Sequence, residues 1–190
     1  QGLNNLKDIS IIGGKLKELS VTCLHGLTQL EYLTISFQPL TTIPAAIFQG
    51  LTNLKRLTLY HNQLSELPPT LFDDLNNLEN LALTQNQLSS LPEALFKKLH
   101  NLKTLDLSFN QLTQLPATLF DNLSNVHKLD LGNNQLKNLA PLLFKKLISL
   151  TKLNLSGNQL SDQNIQELRN ALPQVKIYLD YSHWFSDNFG

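Results

Sequence analysis

The sequence of 190 residues has little cysteine, little charge and no methionine. Its single cysteine, Cys23, cannot form an internal disulfide, which excludes disulfide-stapled scaffolds and multi-cysteine metal sites. Charged residues make up only 16% of the chain, and 15 basic residues balance 15 acidic ones. Because no net charge draws the chain toward phosphates or anionic membranes, we expect no nucleic-acid partner.

Long hydrophobic runs are also missing from the sequence. The longest apolar stretch, 139–144, is far shorter than the roughly 20 residues that a membrane-spanning helix needs. We therefore predict no membrane span. The chain starts at Gln1 rather than at a methionine, so we expect a processed or truncated product. This start favours a secreted or cell-surface location, with the cytoplasm as the alternative.

Leucine, by contrast, is in excess, with 45 copies in the chain. The sequence matches itself at a spacing of 24 residues, and most units open with L-x-x-L-x-L-x-x-N-x-L, seen cleanly over 54–64 and 102–112. This string resembles the leucine-rich repeat in its "typical" 24-residue class. The single cysteine distinguishes the chain from cysteine-capped animal ectodomains and favours a bacterial surface or secreted protein. The seven units start at Leu6, Leu30, Leu54, Leu78, Leu102, Val126 and Leu150.

The pattern predicts an α/β solenoid. Leu57 and Leu59 alternate with Thr58, so a short strand places both leucines on one face, and stacked units bury that face together. The resemblance implies a horseshoe with a parallel sheet on the concave face and loops or short turns on the convex face. We expect one domain, 1–190, in which 161–190 forms a cap and an aromatic tail. Ser161 or Asp162 caps the predicted helix, and a last strand covers 175–179.

Two columns of the repeat are predicted to be structural. An asparagine falls where each chain turn leaves backbone groups unpaired: Asn62, Asn86, Asn110, Asn134 and Asn158. A phenylalanine recurs on the back of the coil and is expected to form a stacked spine: Phe48, Phe72, Phe96, Phe120 and Phe144. Cys23 stands in the column of Leu71 and Leu95, so we expect it to be buried.

The strand positions that do not hold the core leucines predict the binding surface. Aromatic residues and arginine, which are enriched at interface hot spots, gather in units two and three at Tyr32, Phe37, Arg56, Tyr60 and His61, with Phe109 two units further on. The following units contribute a charged half: Asp106, Asp130, Lys128 and Lys152. We predict a protein ligand on this face. The alternative is that the aromatic rings merely pack flat on the strands.

The end of the chain is rich in aromatic residues, at Tyr178, Tyr181, Trp184, Phe185 and Phe189. We expect this tail to fold over the end of the coil and cover its exposed leucine layer. A recognition motif or a dimer contact is the alternative, so we expect a monomer or a weak dimer.

Catalytic motifs do not stand out. The five histidines lack metal-ligand spacing, and the sequence holds neither a phosphate-binding glycine loop nor a nucleophile elbow. We predict a non-enzymatic protein-interaction module without cofactor or metal, and a host-interaction factor if the source is a bacterium that lives with a host. The alternatives are the substrate-recognition part of a larger effector or ligase, and a glycan-binding surface protein.

Overall fold

Within residues 3–190, which the computed structural model describes, eight short strands form one parallel sheet, each paired with the next along the chain. The strands are β1 (Asp8–Ile12), β2 (Tyr32–Ser36), β3 (Arg56–Thr58), β4 (Asn80–Ala82), β5 (Thr104–Asp106), β6 (Lys128–Asp130), β7 (Lys152–Asn154) and β8 (Lys176–Tyr178). The helices are α1 (Asp162–Ala171) and α2 (Tyr181–Phe189), with a 3₁₀ turn at Pro141–Phe144. The predicted α/β solenoid, with its parallel sheet and C-terminal helix, is confirmed.

The strands stack in the 24-residue register of the sequence. Leu57 pairs with Leu81 and Leu81 with Leu105, so identical repeat positions lie side by side across the sheet. The leucines of this column are almost fully buried, whereas Thr58 and Ala82 beside them lie on the opposite, partly exposed face. Because burial alternates along each strand, the sheet has a leucine layer inside the coil and a variable surface on the concave side.

The asparagine of each middle unit ties its coil to the preceding one. The Nδ2 of Asn110 donates to the carbonyl oxygens of Leu83, Leu107 and Ser108 at 3.0–3.2 Å. Its Oδ1 accepts from the amide of Leu88 at 3.1 Å. Amide groups in the same column bridge to the preceding unit at Asn62, Asn86, Asn134 and Asn158. These side-chain amides, all buried except the half-buried Asn158, thus satisfy backbone groups that the turn leaves without partners.

The phenylalanine column lies behind the leucine layer. All five rings are buried, at Phe48, Phe72, Phe96, Phe120 and Phe144. The centroids of Phe72 and Phe96 are 6.3 Å apart and their planes differ by only 10°. The centroids of Phe48 and Phe72 are 6.4 Å apart and those of Phe120 and Phe144 are 6.3 Å apart, and the buried rings remove a large apolar area from water on the return path of the coils.

The ends of the coil differ from its middle. Cys23 is exposed, so the expectation that it is buried is wrong. Cys23 belongs to the first unit, so no earlier coil within the described residues packs against its side chain. At the other end, Ser161 caps α1 by accepting from the amide of Asn164 at 3.1 Å, and Leu168 is buried against the core.

The aromatic tail takes a course that the sequence did not predict. After β8 the chain forms α2, which turns back onto the concave surface of the sheet instead of covering the leucine layer at the end of the coil. Trp184 of α2 is 1% exposed and packs edge-to-face on Tyr178, with ring centroids 5.0 Å apart. It also contacts Lys128 and Asp130 of β6, which belong to the concave face. The interpretation of the tail as a lid over the leucine layer is therefore wrong.

Candidate binding site on the concave face

Five of the predicted ligand-binding residues lie on the N-terminal half of the concave face, in two contacting groups. The ring of Phe37 stacks on His61 at 4.6 Å and meets Tyr60 edge-to-face at 5.0 Å between centroids. The guanidinium of Arg56 lies 5.7 Å from the centre of the Tyr32 ring. Tyr32 and Phe37 are 38% and 44% exposed, so both rings remain available to a partner. We call these five residues the aromatic cluster.

The residue that ends each strand region has a left-handed backbone. Phe37, His61 and Phe109 have φ of 53° to 57°, and Gly13 and Gly157 occupy the same column. This conformation costs a non-glycine residue about 1–2 kcal/mol. It directs each amide to the next coil, as in the 2.9 Å bond from the Phe109 amide to the carbonyl of Gly132. The backbone is therefore strained at three of the predicted binding residues.

Phe109 does not join the aromatic cluster. Its ring meets Tyr181, the first residue of α2, edge-to-face at 5.5 Å. The last turn of α2 lies near the starts of β6 and β7, because the Nζ of Lys128 is 4.4 Å from the Phe189 ring centre and the Nζ of Lys152 donates to the carbonyl of Asp187 at 3.1 Å. The helix thus runs antiparallel to the strands it covers.

The charged half of the predicted site lies beneath or beside this helix. Lys128 contacts the rings of Trp184 and Phe189, and Lys152 also donates to Oδ1 of Asn188 at 3.1 Å. Asp130 is 5% exposed and accepts at 2.8 Å from the side chain of Asn154. No salt bridge links these lysines to Asp106 or Asp130 within the described residues. The chain's own tail therefore contacts Lys128 and Lys152 of the half that the sequence assigned to a partner, whereas Asp106 lines an open cavity.

A trough remains open between Arg56 and α2. It has a volume of about 310 Å³, and Thr58, Ala82 and Thr104 of β3, β4 and β5 lie on its floor. Arg56 lines its side next to the cluster, and Phe189 lines the side of α2. Asp106, Lys128 and Asp130 also line this trough, whereas Phe37 and His61 line a separate cavity together with Phe109.

Comparison with known proteins places this arrangement in a family. The leucine rich repeat model matches residues 29–88, 76–136 and 100–160, which together span more than half of the chain. The chain belongs to the leucine-rich repeat family. No curated protein matches this leucine-rich repeat chain. Among solved structures, it is similar to TLR13 in its complex with ssRNA13, with 30% identity and a TM-score of 0.83. The match covers 94% of this chain but 26% of the TLR13 chain.

Sequence reasoning missed the residues that the tail adds to the concave face of this leucine-rich repeat. The spacing of Trp184, Phe185 and Phe189 does not say which surface they cover. Ala82 and Thr104 stand in the same strand columns as the predicted binding residues but are not among them. The left-handed backbone at the end of each strand region could have been predicted from the sequence. Glycine or asparagine, which tolerate positive φ, stands at this position in three units, at Gly13, Asn133 and Gly157.

Other kinds of site are not seen in the described part of the leucine-rich repeat. Among residues 3–190, no three His, Cys, Asp or Glu side chains are grouped so as to hold a metal ion. None of the helices in this range has the length and apolar character needed to cross a bilayer.

The carboxyl group of Asp130 makes the leucine-rich repeat sensitive to pH. Burial, and secondly the neighbouring charge of Asp106, raise the pKa of Asp130 to about 7. Burial also raises the pKa of Asp106 and lowers the pKa of Lys128. The folded state therefore holds more protons than the unfolded state between about pH 4 and pH 7. Stability attributable to Asp130 is thus highest at acidic pH and falls as the pH rises through 7.

We expect the free energy of unfolding to increase by about 2 kcal/mol when the pH is lowered from 8 to 5.5, because each pH unit below a pKa of about 7 adds about 1.4 kcal/mol. Urea unfolding at both pH values measures this difference. The Asp130→Asn variant, which cannot ionise, should lose most of it. A variant that keeps the full pH dependence would rule out Asp130 as its source.

Proposed function

We propose that this chain is a non-enzymatic module that binds a protein ligand through the aromatic cluster. The observation that carries the proposal is the exposure of Tyr32 and Phe37 on the half of the concave face that α2 leaves open. Leucine-rich repeat solenoids use this face as an extended binding surface, and aromatic residues with arginine are the types that dominate interface energies. Arg56 adds a guanidinium that has no ion-pair partner among the described residues.

The double variant Tyr32→Ala/Tyr60→Ala should weaken partner binding at least tenfold and leave the fold intact. Both rings lie outside the leucine layer, so their removal takes away contact area but no core packing. The partner is first captured from host serum or lysate on the immobilised chain and identified by mass spectrometry. Its affinity for the wild type and the variant is then measured with purified protein.

Ile148→Ala is the matched control, because Ile148 is an exposed apolar residue outside the sheet and should not affect binding. Equal affinities of the wild type and the double variant would overturn the proposal.

RNA is a second candidate ligand because the similar TLR13 structure is a complex with ssRNA13. The balanced charge of the chain argues against it, since phosphate binding draws on many basic side chains. The same capture separates the two ligands. A partner that ribonuclease destroys, and whose retention falls steeply with salt, would replace the protein ligand by RNA.

We further propose a secreted or cell-surface location and a role in host interaction for a bacterial source. A chain with a single cysteine and no internal disulfide is compatible with that location and with the cytoplasm. The chain covers only a quarter of the TLR13 chain, which supports the alternative that it is the recognition part of a larger protein.

A further inference from the structure

The last turn of α2 lies on a row of three lysines. Lys128, Lys152 and Lys176 are the first residues of β6, β7 and β8, and they pair in register across the sheet. Adjacent strands are about 4.8 Å apart, so the three lysines follow each other along one end of the concave face. We call them the lysine row. Among residues 3–190, no acidic side chain of the strands forms a salt bridge with the row. The sheet itself therefore leaves this positive charge uncompensated.

The end of α2 supplies the acceptors that the lysine row binds. The Nζ of Lys152 donates to the carbonyl oxygen of Asp187 and to Oδ1 of Asn188, both at 3.1 Å. Lys176 forms a salt bridge with the carboxylate of Asp187, which also accepts from the hydroxyl of Tyr178 at 2.7 Å. The carboxyl end of a helix carries a partial negative charge, which adds to that of Asp187. The row thus binds an acidic helix end.

Aromatic side chains on both sides of Asp187 complete this contact. The Nζ of Lys128 lies 5.0 Å from the centre of the Trp184 ring and 4.4 Å from that of the Phe189 ring, and both are cation–π contacts. The indole N–H of Trp184 hydrogen-bonds to the carboxyl group of Asp130. The bound segment therefore combines an acidic residue with an aromatic residue before it and another after it.

α2 has the properties of a segment that folds when it binds. It has nine residues, and isolated helices shorter than about 12–15 residues are marginal in water, so its helix depends on contacts with the sheet. Trp184 is the buried residue of this helix, whereas Tyr181, Phe185 and Phe189 are 40%, 51% and 63% exposed. A segment of another protein with the same residue types can make the same contacts.

We propose that the lysine row is the binding site for a segment of a protein partner in which an acidic residue lies between aromatic residues, and that α2 is its internal competitor. The inference goes beyond the proposed function, because this site lies on the other half of the concave face from the aromatic cluster. Charge sets the orientation of the segment. Asp106 and Asp130 pair two residues further along β5 and β6, so the acidic residue of the partner meets the row and not the middle of the face.

The tail competes well because it is tethered to the site. Only residues 179–180 separate β8 from α2, so the local concentration of the tail is high and it excludes a free segment of equal intrinsic affinity. A partner reaches the row when it makes further contacts elsewhere on the concave face, or when the attachment of the tail is weakened.

The first test uses a labelled peptide with the sequence of residues 180–190 and the whole chain. Its dissociation constant is measured by fluorescence anisotropy with the wild type and with Trp184→Ala, in which the chain's own tail has lost its buried side chain. We expect the variant to bind the peptide at least tenfold more tightly, because its lysine row is free. Asp187→Lys, a change at an exposed position of the tail, should act in the same direction and replaces Trp184→Ala if that variant does not fold. Equal affinities of the wild type and a folded variant would overturn the competition.

Displacement of the tail can be observed directly, because Trp184 is the single tryptophan of the chain. Wild-type chain that carries fluorotryptophan gives one fluorine resonance, which reports on this buried ring. Excess unlabelled peptide should move the resonance to the position of a solvent-exposed tryptophan. An unchanged resonance while the peptide binds would place the peptide on another surface and overturn the proposal.

Charge variants test whether the peptide lies on the lysine row. In the Trp184→Ala background, Lys152→Glu should weaken the peptide at least tenfold. Lys146→Glu, the matched change at an exposed lysine outside the sheet, should leave its affinity unchanged. A peptide with lysine in place of its copy of Asp187 should bind poorly, and Lys176→Glu should restore part of this binding. Equal effects of the Lys152 and Lys146 variants would overturn the site.

A displayed library of random dodecapeptides, selected on Trp184→Ala or Asp187→Lys, tests the chemistry without the tail sequence. We expect enriched peptides to carry aspartate or glutamate within three positions of an aromatic residue. Enrichment of peptides without an acidic residue would overturn the proposal, and so would displacement of the tail by an oligouridylate but by no peptide. The proposed function is judged separately, because Tyr32→Ala/Tyr60→Ala changes the aromatic cluster and not the lysine row.

Discussion

Replacing Trp184 by alanine should lower the free energy of unfolding by about 3–5 kcal/mol, the range observed when a buried tryptophan is truncated. Trp184 is 1% exposed, packs on Tyr178 and contacts the ammonium group of Lys128. Truncation leaves a cavity between α2 and the sheet, and it removes the indole N–H that hydrogen-bonds to the carboxyl group of Asp130. Chemical unfolding monitored by circular dichroism measures the loss.

Phe185→Ala provides the matched control for this prediction. It truncates an aromatic residue next to Trp184 in the same helix, but Phe185 is 51% exposed. We expect its effect to stay below about 1 kcal/mol, as is usual away from the core. Equal decreases in the free energy of unfolding for the two variants would mean that the burial of Trp184 is not what holds α2 on the sheet.

Replacing Asn110 by alanine should cost about 2–3 kcal/mol, although it removes only a small polar group. The change leaves the amide of Leu88 without its side-chain partner, buried where water does not reach, whereas the carbonyl of Leu83 keeps a bond from the Nδ2 of Asn86 at 3.1 Å. An orphaned buried group costs about 1–3 kcal/mol. The loss exceeds the value of about 1 kcal/mol that is usual for a point mutation, because one side chain serves two coils. Thermal and urea unfolding of the variant measure it.

Asn101→Ala is the control for Asn110. Asn101 also bridges to the preceding unit, by donating to the carbonyl of Asn76 at 2.7 Å, but it is exposed. Water replaces its single hydrogen bond, so we expect a loss of about 1 kcal/mol or less. A small effect of Asn110→Ala, comparable with that of Asn101→Ala, would show that water reaches the asparagine column.

The central fold could be predicted because each unit repeats the same local pattern. Leu57 and Leu59 predict a strand whose leucines face inward, and the 24-residue spacing predicts the pairing of Leu57 with Leu81. The helix after Ser161 was also predictable, since a capping side chain precedes residues with helical periodicity. These features depend on residues that are close together in the sequence or one repeat apart, so the repeat pattern predicts them directly.

The course of the tail could not be predicted, because it depends on contacts between distant residues. Trp184 meets Lys128, and Tyr181 meets Phe109, from units far apart in the sequence. The periodic pattern stops before α2, so no register relates the tail to the coils. The sequence therefore located the aromatic cluster and the charged half of the concave face, but it did not show that the tail covers one of them.

The docked helix also changes how the solenoid can come apart. In a chain of stacked repeats each unit touches only its neighbours, so the ends fray one unit at a time. Here α2 connects β8 with Lys128 of β6 and with Phe109 after β5, which joins the last four coils directly. These coils cannot open singly until α2 has left the sheet. We therefore expect the C-terminal half to exchange its amide hydrogens as one cooperative block, and the N-terminal coils to exchange theirs in graded steps.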